Sequence, residues 1–207
     1  MIWIRRNAGV SRALPMLLLS CLALGVVLGC ATAKEILALR QVDFRFVGIT
    51  DPRVAGIPLQ RVHAYSDLSV ADLGRLGVAI AGGSVPLDLF VHVEGRNPES
   101  NNVTARLVAL QWTYLVDDRE AASGSLSETY SFPPGEPRDV PLRVTFDLMD
   151  LFGDRSRDLI EVALALAGER ASTHRTALRL LPTVETPLGP MRYPVPITLD
   201  LTSPDAR

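Results

Sequence analysis

Leu87 to Glu94 reads LDLFVHVE, and in it apolar and polar positions alternate without a break. Leu87, Leu89, Val91 and Val93 fall on one face, with Asp88, Phe90, His92 and Glu94 on the other. A period of two is that of a strand with one buried side, because successive side chains point to opposite faces. Arg96-Asn97-Pro98 ends the run. Proline donates nothing to a ladder and restricts the residue before it, and Asn97 can bond its own backbone two residues on. The pair Asn97 and Pro98 is therefore read as a strand-ending turn with a structural role.

Similar segments recur along the chain. Leu39 to Thr50 is strand-like and is expected to end at Asp51-Pro52; Gly56 to Ala64 is a weaker strand. Asp67 to Leu76 fits either a helical turn or a strand with a bulge. Leu107 to Val116 and Ala121 to Phe132 flank a polar hairpin turn, Asp117 to Glu120, and Pro133 to Pro137 is a strong breaker. Val140, Leu142, Val144, Phe146 and Leu148 alternate again. One helix is expected from Asp154 or Ser156 to Ala167, with Asp158 and Glu161 near its positive end, an apolar face of Leu159, Val162 or Ala163, and Leu166, and Gly168 as terminator. Two last strands, Thr176 to Val184 and Met191 to Leu201, surround the turn Pro187-Leu188-Gly189-Pro190. About seven short strands with regular turn signals predict a mainly β fold, an antiparallel β-sandwich with one α-helix before the last hairpin.

The first thirty residues read differently. Arg5, Arg6 and Arg12 precede an uncharged apolar run, Leu14 to Gly29, and no acidic residue occurs before Glu35. This is the pattern of a secretory leader. Val27-Leu28-Gly29-Cys30 nearly matches the site at which a bacterial lipoprotein is cut and acylated on its first mature residue. Leu28 departs from it, since a smaller residue is usual there. Two other readings stay open. Ala13 to Ala33 is about long enough to span a bilayer, for which ~20 residues suffice, and cleavage at Ala31 or Ala33 would leave no lipid. The expected organisation is a signal peptide over 1–29, a tether over 30–38 and a domain over 39–203. Cys30 is the expected lipid attachment site. Ala31 behind it resembles the sorting signal for the outer membrane, which places the domain on the periplasmic face.

Cysteine usage agrees with this expectation. Cys21 and Cys30 are the two cysteines of the 207 residues. Loss of the leader removes Cys21, and acylation would consume Cys30, so the fold is expected to hold without a disulfide. Loss of Arg5, Arg6 and Arg12 leaves 18 basic against 23 acidic residues, a formal charge of −5. Basic residues are scattered singly, which argues against nucleic-acid binding.

Site chemistry is sparse in the sequence. His63, His92 and His174 lie far apart, without neighbours at metal-ligand spacing, and read as surface histidines. No nucleophile elbow, phosphate loop or dinucleotide fingerprint occurs. Asp147, Asp150, Asp154 and Asp158 do not match a calcium loop. Trp112 and Tyr114 read as sandwich core. No cofactor, metal or catalytic residue is expected.

Three blocks carry a resemblance: LFVHVEGRNPESNNVTARLVALQWTYLVDDREAASG, PPGEPRDVPLRVTFDLMDLF and TVETPLGPMRYPVP. In this order, behind a lipoprotein-like leader, they resemble the late embryogenesis abundant type 2 family, also called the water stress and hypersensitive response domain. The likeness runs from about Val42 to Leu201. The family turn is often Asn-Pro-Asn, whereas here it is Asn97-Pro98-Glu99, and the link from Pro58 to Val85 is longer than usual. The resemblance implies an immunoglobulin-like or fibronectin-like sandwich, an association with desiccation or other stress, and no catalytic residues. The expected function is a membrane-anchored, non-enzymatic protective or binding module of the cell envelope, with protein or membrane clients. The alternative is an adaptor subunit of an envelope assembly, which an exposed apolar patch or an unpaired edge strand near Leu87–Val93 would favour.

Overall fold

The computed structural model describes residues 42–153, 156–168, 173–186 and 189–201. The leader, Cys30, Ala31, the tether, Asp154 and the Pro187-Leu188 half of the last turn lie outside the described residues, as do the Ser156 and Asp158 side chains.

Two antiparallel sheets face each other. The first has the order β2 (Ile57–Pro58), β1 (Asp43–Val54), β3 (Pro86–Arg96) and β7 (Pro137–Asp147). The second is built on β8 (Thr176–Thr186), β4 (Ala105–Val116) and β5 (Arg119–Leu126). There β6 (Tyr130–Phe132) also pairs with β4, and β9 (Gly189–Arg192) and β10 (Ile197–Asp200) both pair with β8. The fold is a mainly β sandwich.

Alternation dictates which face is core. Leu87, Leu89, Val91 and Val93 of β3 and Val140, Leu142 and Val144 of β7 are buried to within 1%. Leu110, Tyr114, Leu178 and Leu180 meet them from the other sheet, with Tyr114 stacked on Phe146 at a centroid distance of 5.6 Å. At one end Phe132 sets its edge against Phe44, with centroids 6.0 Å apart.

The ten strands of the described residues reduce to about the expected seven once interrupted strands are joined and the two-residue β2 is set aside. β5 and β6 are one return strand along β4, parted at Ser127–Thr129. β9 and β10 are likewise one return along β8, parted where Pro194 and Pro196 cannot donate. The β4–β5 hairpin closes on Asp117 and Asp118, with φ of +50° and +62°. This is the two-residue geometry whose twist matches the strands, and Asp tolerates it.

Three expectations are corrected. β1 does not end at Asp51-Pro52 but runs on to Val54. Its ladder with β3 shifts register between Thr50 and Arg53, and Asp51 has φ +50°. The proline that cannot donate is absorbed in a bulge. The strand expected over 56–64 is two residues long. Ala55 and Gly56, both at positive φ, turn the chain, and Leu59 N–H then bonds back to the Pro52 carbonyl at 2.9 Å.

The stretch from Asp67, left open between helix and strand, is helical, so the single expected helix is the third correction. After a 3-10 turn (Tyr65–Asp67) the stretch becomes the helix α1 (Val70–Ala81). Ser69 caps it: its hydroxyl accepts from Asp72 N–H at 3.1 Å, and the Asp72 carboxylate accepts back from Ser69 N–H. A short helix α2 (Leu148–Phe152) also precedes the expected one, α3 (Ser156–Leu166), so the described residues hold more than a single helix. On α3, Leu159, Ile160, Ala163, Leu164 and Leu166 are buried, and Gly168 follows at φ +78°.

At Gly95 the two sheets approach closely. A Cβ there would lie 2.4 Å from Phe132 Cε1, inside a ring that is itself 1% exposed. Gly95→Ala is expected to lower stability by about 1–3 kcal/mol through overpacking. A urea midpoint shift at unchanged slope checks it.

Candidate functional site

Asn97 continues the inward phase of β3 two residues beyond Gly95, so it enters the core at the end of the sandwich. It is fully buried. Its amide donates to the carbonyls of Val103 at 2.9 Å and Phe132 at 2.8 Å, while its oxygen accepts from the Asn101 amide at 2.7 Å. Its own carbonyl accepts from Gly135 N–H at 2.8 Å. One side chain thus ties the loop after β3 to the end of β6. Pro98 holds the turn through its carbonyl, which accepts from Asn101 N–H at 3.0 Å. Asn101, not residue 99, supplies the second asparagine of this lock.

A second cluster lies on the outer face of the first sheet. His92 is opposite Gly48 on one side and Pro141 on the other. Neither presents a bulky neighbour, and the imidazole reaches diagonally to both strands. Its Nε2 meets Thr50 Oγ1 at 2.8 Å and its Nδ1 meets Asp139 Oδ2 at 2.7 Å. Hydroxyl, imidazole and carboxylate in a chain is the geometry of a positioned base. Here it sits on an exposed sheet face among surface pairs, Arg45–Glu94 at 2.9 Å and Arg143–Asp88 at 3.5 Å. His92 is therefore on the outer face as expected, but paired with an acid that spacing did not reveal.

The third cluster is at the opposite end. His174 Nδ1 meets Asp117 Oδ2 at 2.7 Å, Asp117 Oδ1 accepts from Arg175 N–H at 2.9 Å, and the Phe152 ring lies against the imidazole at 4.9 Å. The hydrogen bond from His174 comes first among the causes that hold the Asp117 carboxyl below its ordinary range, followed by the Arg175 N–H. Nearby, burial pushes the Asp147 carboxyl up, but bonds from Ser84, Val85 N–H and Met149 N–H outweigh it and leave the group lowered. Asp147 caps α2 and fastens the start of β3 to it. His63 is placed by its backbone N–H, which donates to Asp67 at 2.8 Å.

Trp112 is half-buried, its ring laid over Gly124 so closely that a Cβ there would be 2.5 Å away. The Tyr114 hydroxyl is buried, and burial pushes its ionisation up against the smaller opposing effect of the Thr176 side chain. Among the described residues no group of three or more His, Cys, Asp or Glu could hold a metal ion. Among them, too, no helix is long and apolar enough to cross a membrane.

A groove of about 600 Å³ lies beside α1, lined by Ala55, Gly74, Arg75, Val78, Ala79 and Pro86. Nothing in the sequence points to it, because the stretch that forms the helix fits a bulged strand as well.

Asn97→Ala is expected to cost about 2–4 kcal/mol, since it leaves buried carbonyls and the Asn101 amide unpaired. Asn97→Asp should fare no better, because a second oxygen would face the carbonyls of Val103 and Phe132. Denaturant titration of both variants reads this. The lowered carboxyl of Asp117 stabilises the fold above the ordinary aspartate range, and that contribution is lost as pH falls through the folded value. Asp117→Asn keeps the turn, so its melting temperature should fall below that of the parent chain at pH 7 and converge with it near pH 2. Melting curves across that range check the sign.

No family model matches the chain, and no curated protein matches it. Solved structures do. A crystal structure of a protein from Archaeoglobus fulgidus is 14% identical, covers 57% of this chain and 86% of its own, and has a TM-score of 0.35. A solution structure of a protein from Arabidopsis thaliana is 19% identical over 56% of this chain and 66% of its own, with a TM-score of 0.37. A solution structure of a putative late embryogenesis abundant protein is 12% identical over 99% of this chain and 97% of its own, with a TM-score of 0.36. The sandwich itself rests on the strand pairing.

Proposed function

We propose that this chain is a non-enzymatic, lipid-anchored module of the cell envelope, held at the membrane through Cys30, with a protective or binding role under water stress. The observation that carries the non-enzymatic part is where the polar side chains go. Asn97, Asp147, and Asp117 with His174 each complete a turn, a cap or a loop junction. The Thr50–His92–Asp139 chain joins three strands on an open face. A folded domain with such a surface can shield neighbouring membranes or proteins by local concentration when it is tethered beside them. The stress association comes from the sequence resemblance. The anchor, the sorting role of Ala31 and the periplasmic outer-membrane location come from the leader.

The adaptor reading keeps a specific support. Leu87–Val93 is no edge, since β3 is paired on both sides. The described surface does, however, expose an apolar helix face, on α1.

Intact-mass spectrometry of the protein from membranes of a bacterial host, beside Cys30→Ala, tests the anchor. The expected mass starts at residue 30 and carries acyl chains, and the variant lacks them. An unmodified full-length mass would make residues 13–33 an uncleaved anchor and sink the lipid reading.

A further inference from the structure

The first sheet ends on a long bare edge. β7 is paired with β3 on one side and, among the described residues, with no strand on the other. An unpaired strand edge is a template for another chain, and folds guard such edges by keeping them short, by bulging them, or by placing charge and proline on them. The other edges of this sandwich are guarded in the first two ways. β2 has two residues, β6 three, and β9 and β10 four each. β1 shifts register between Phe46 and Gly48 and again between Thr50 and Arg53, and β5 shifts beside Tyr114 and Leu115. β7 has neither defence, since its 11 residues run against β3 without a shift.

It carries prolines instead. A proline nitrogen brings no hydrogen to a ladder, so within a sheet it is tolerated where it faces away from the paired strand. Pro141 lies opposite His92 in the middle of the unbroken pairing, and its nitrogen therefore points to the free side. Residues of an antiparallel ladder alternate in this respect. The nitrogens of Pro137, Asp139, Pro141, Arg143 and Thr145 thus line the bare edge, and all these residues are exposed. Pro137 and Pro141 have no hydrogen to give there, and each puts a ring carbon where the carbonyl of an added strand would come. We infer that Pro137 and Pro141 are an edge block, which stops β7 of one copy from pairing with β7 of a second copy of this chain. A second copy is the strand that the remaining side chains would accept. Antiparallel pairing about a two-fold axis at Pro141 sets Asp139 of each copy opposite Arg143 of the other, and opposite charges at such positions attract. The side chains do not keep the copies apart; the missing hydrogens and the rings do. A protective role exercised as water is lost brings copies together at rising concentration. That use of the block rests on the proposed function, whereas the block itself rests on the strand alone.

The test compares the full-length chain with Pro141→Thr, Pro137→Thr and Pro196→Thr by sedimentation equilibrium in density-matched detergent, with melting temperatures measured in parallel. Any association through residues 1–40 is common to all of these proteins. Threonine restores the hydrogen and suits a strand without adding a large apolar surface. Pro196 is exposed and outside any strand, so its variant controls for the loss of a proline as such. Pro141→Thr adds one backbone donor per copy, two in a symmetric pair, and is expected to self-associate about tenfold or more tightly than the parent chain. Pro196→Thr should match the parent. Pro137→Thr, at the first residue of the strand, repeats the reading where the fold depends least on proline, and it decides the matter if Pro141→Thr does not fold. A folded Pro141→Thr that associates no more tightly than the parent would overturn the inference. So would an equal gain in Pro196→Thr.

Discussion

Everything in this sandwich follows from the phase of β3. Its inward row, Leu87, Leu89, Val91 and Val93, is almost completely buried, and the strand is paired on both sides. A slip of one residue would exchange that row for Asp88, Phe90, His92 and Glu94, so hydrophobic burial fixes the register. The ladder from Pro86–Asp147 to Arg96–Pro137 accordingly runs without a shift, and the bulges are on the other side, in β1. The same phase carries on past the strand. Gly95 is inward, where only a missing side chain admits the Phe132 ring. The next inward position is Asn97. It is buried because of where the alternation puts it, and it is tolerable there because every polar atom of its amide finds a partner.

The outward phase explains the other polar clusters. His92 can touch both neighbouring strands because a central strand has a partner on each side, and its acid, Asp139, is 47 residues away. His174 and Asp117 are 57 apart and meet because β4 and β8 are antiparallel and end together. In each case a carboxylate and an imidazole satisfy one another across a ladder. Spacing along the chain reads such histidines as solitary, because only the sheet order brings their partners to them.

How much was legible depended on whether local pattern and tertiary demand agreed. Leu87–Glu94 and Val140–Leu148 alternate cleanly because one face of each is core and the other is solvent. The Asp117-Asp118 hairpin and the Gly168 terminator were marked by residues suited to their backbone angles. Asp51-Pro52 misled, since a proline at a bulge resembles a proline at a strand end until the partner strand is known. The structural turn at Asn97-Pro98 was visible, but not its acceptors, the carbonyls of Val103 and Phe132, which only folding brings near. The Ser69–Asp72 capping box was present in the sequence, and Leu73, Leu76 and Ile80 recur at helical spacing, but glycines at 74 and 77 are poor helix formers and suit a bulged strand as well.

That failure is itself informative when α1 is set beside α3. The two are of similar length, 12 and 11 residues. α3 buries Leu159, Ile160, Ala163, Leu164 and Leu166, and its position against the sandwich accounts for its composition. α1 is as apolar as a core helix but contributes only Leu76 to the core in full. A helix that served merely to connect β2 to β3 would do so more stably with alanine for glycine and with polar residues for exposed valine. The residues of α1 are thus matched neither to solvent nor to their own domain.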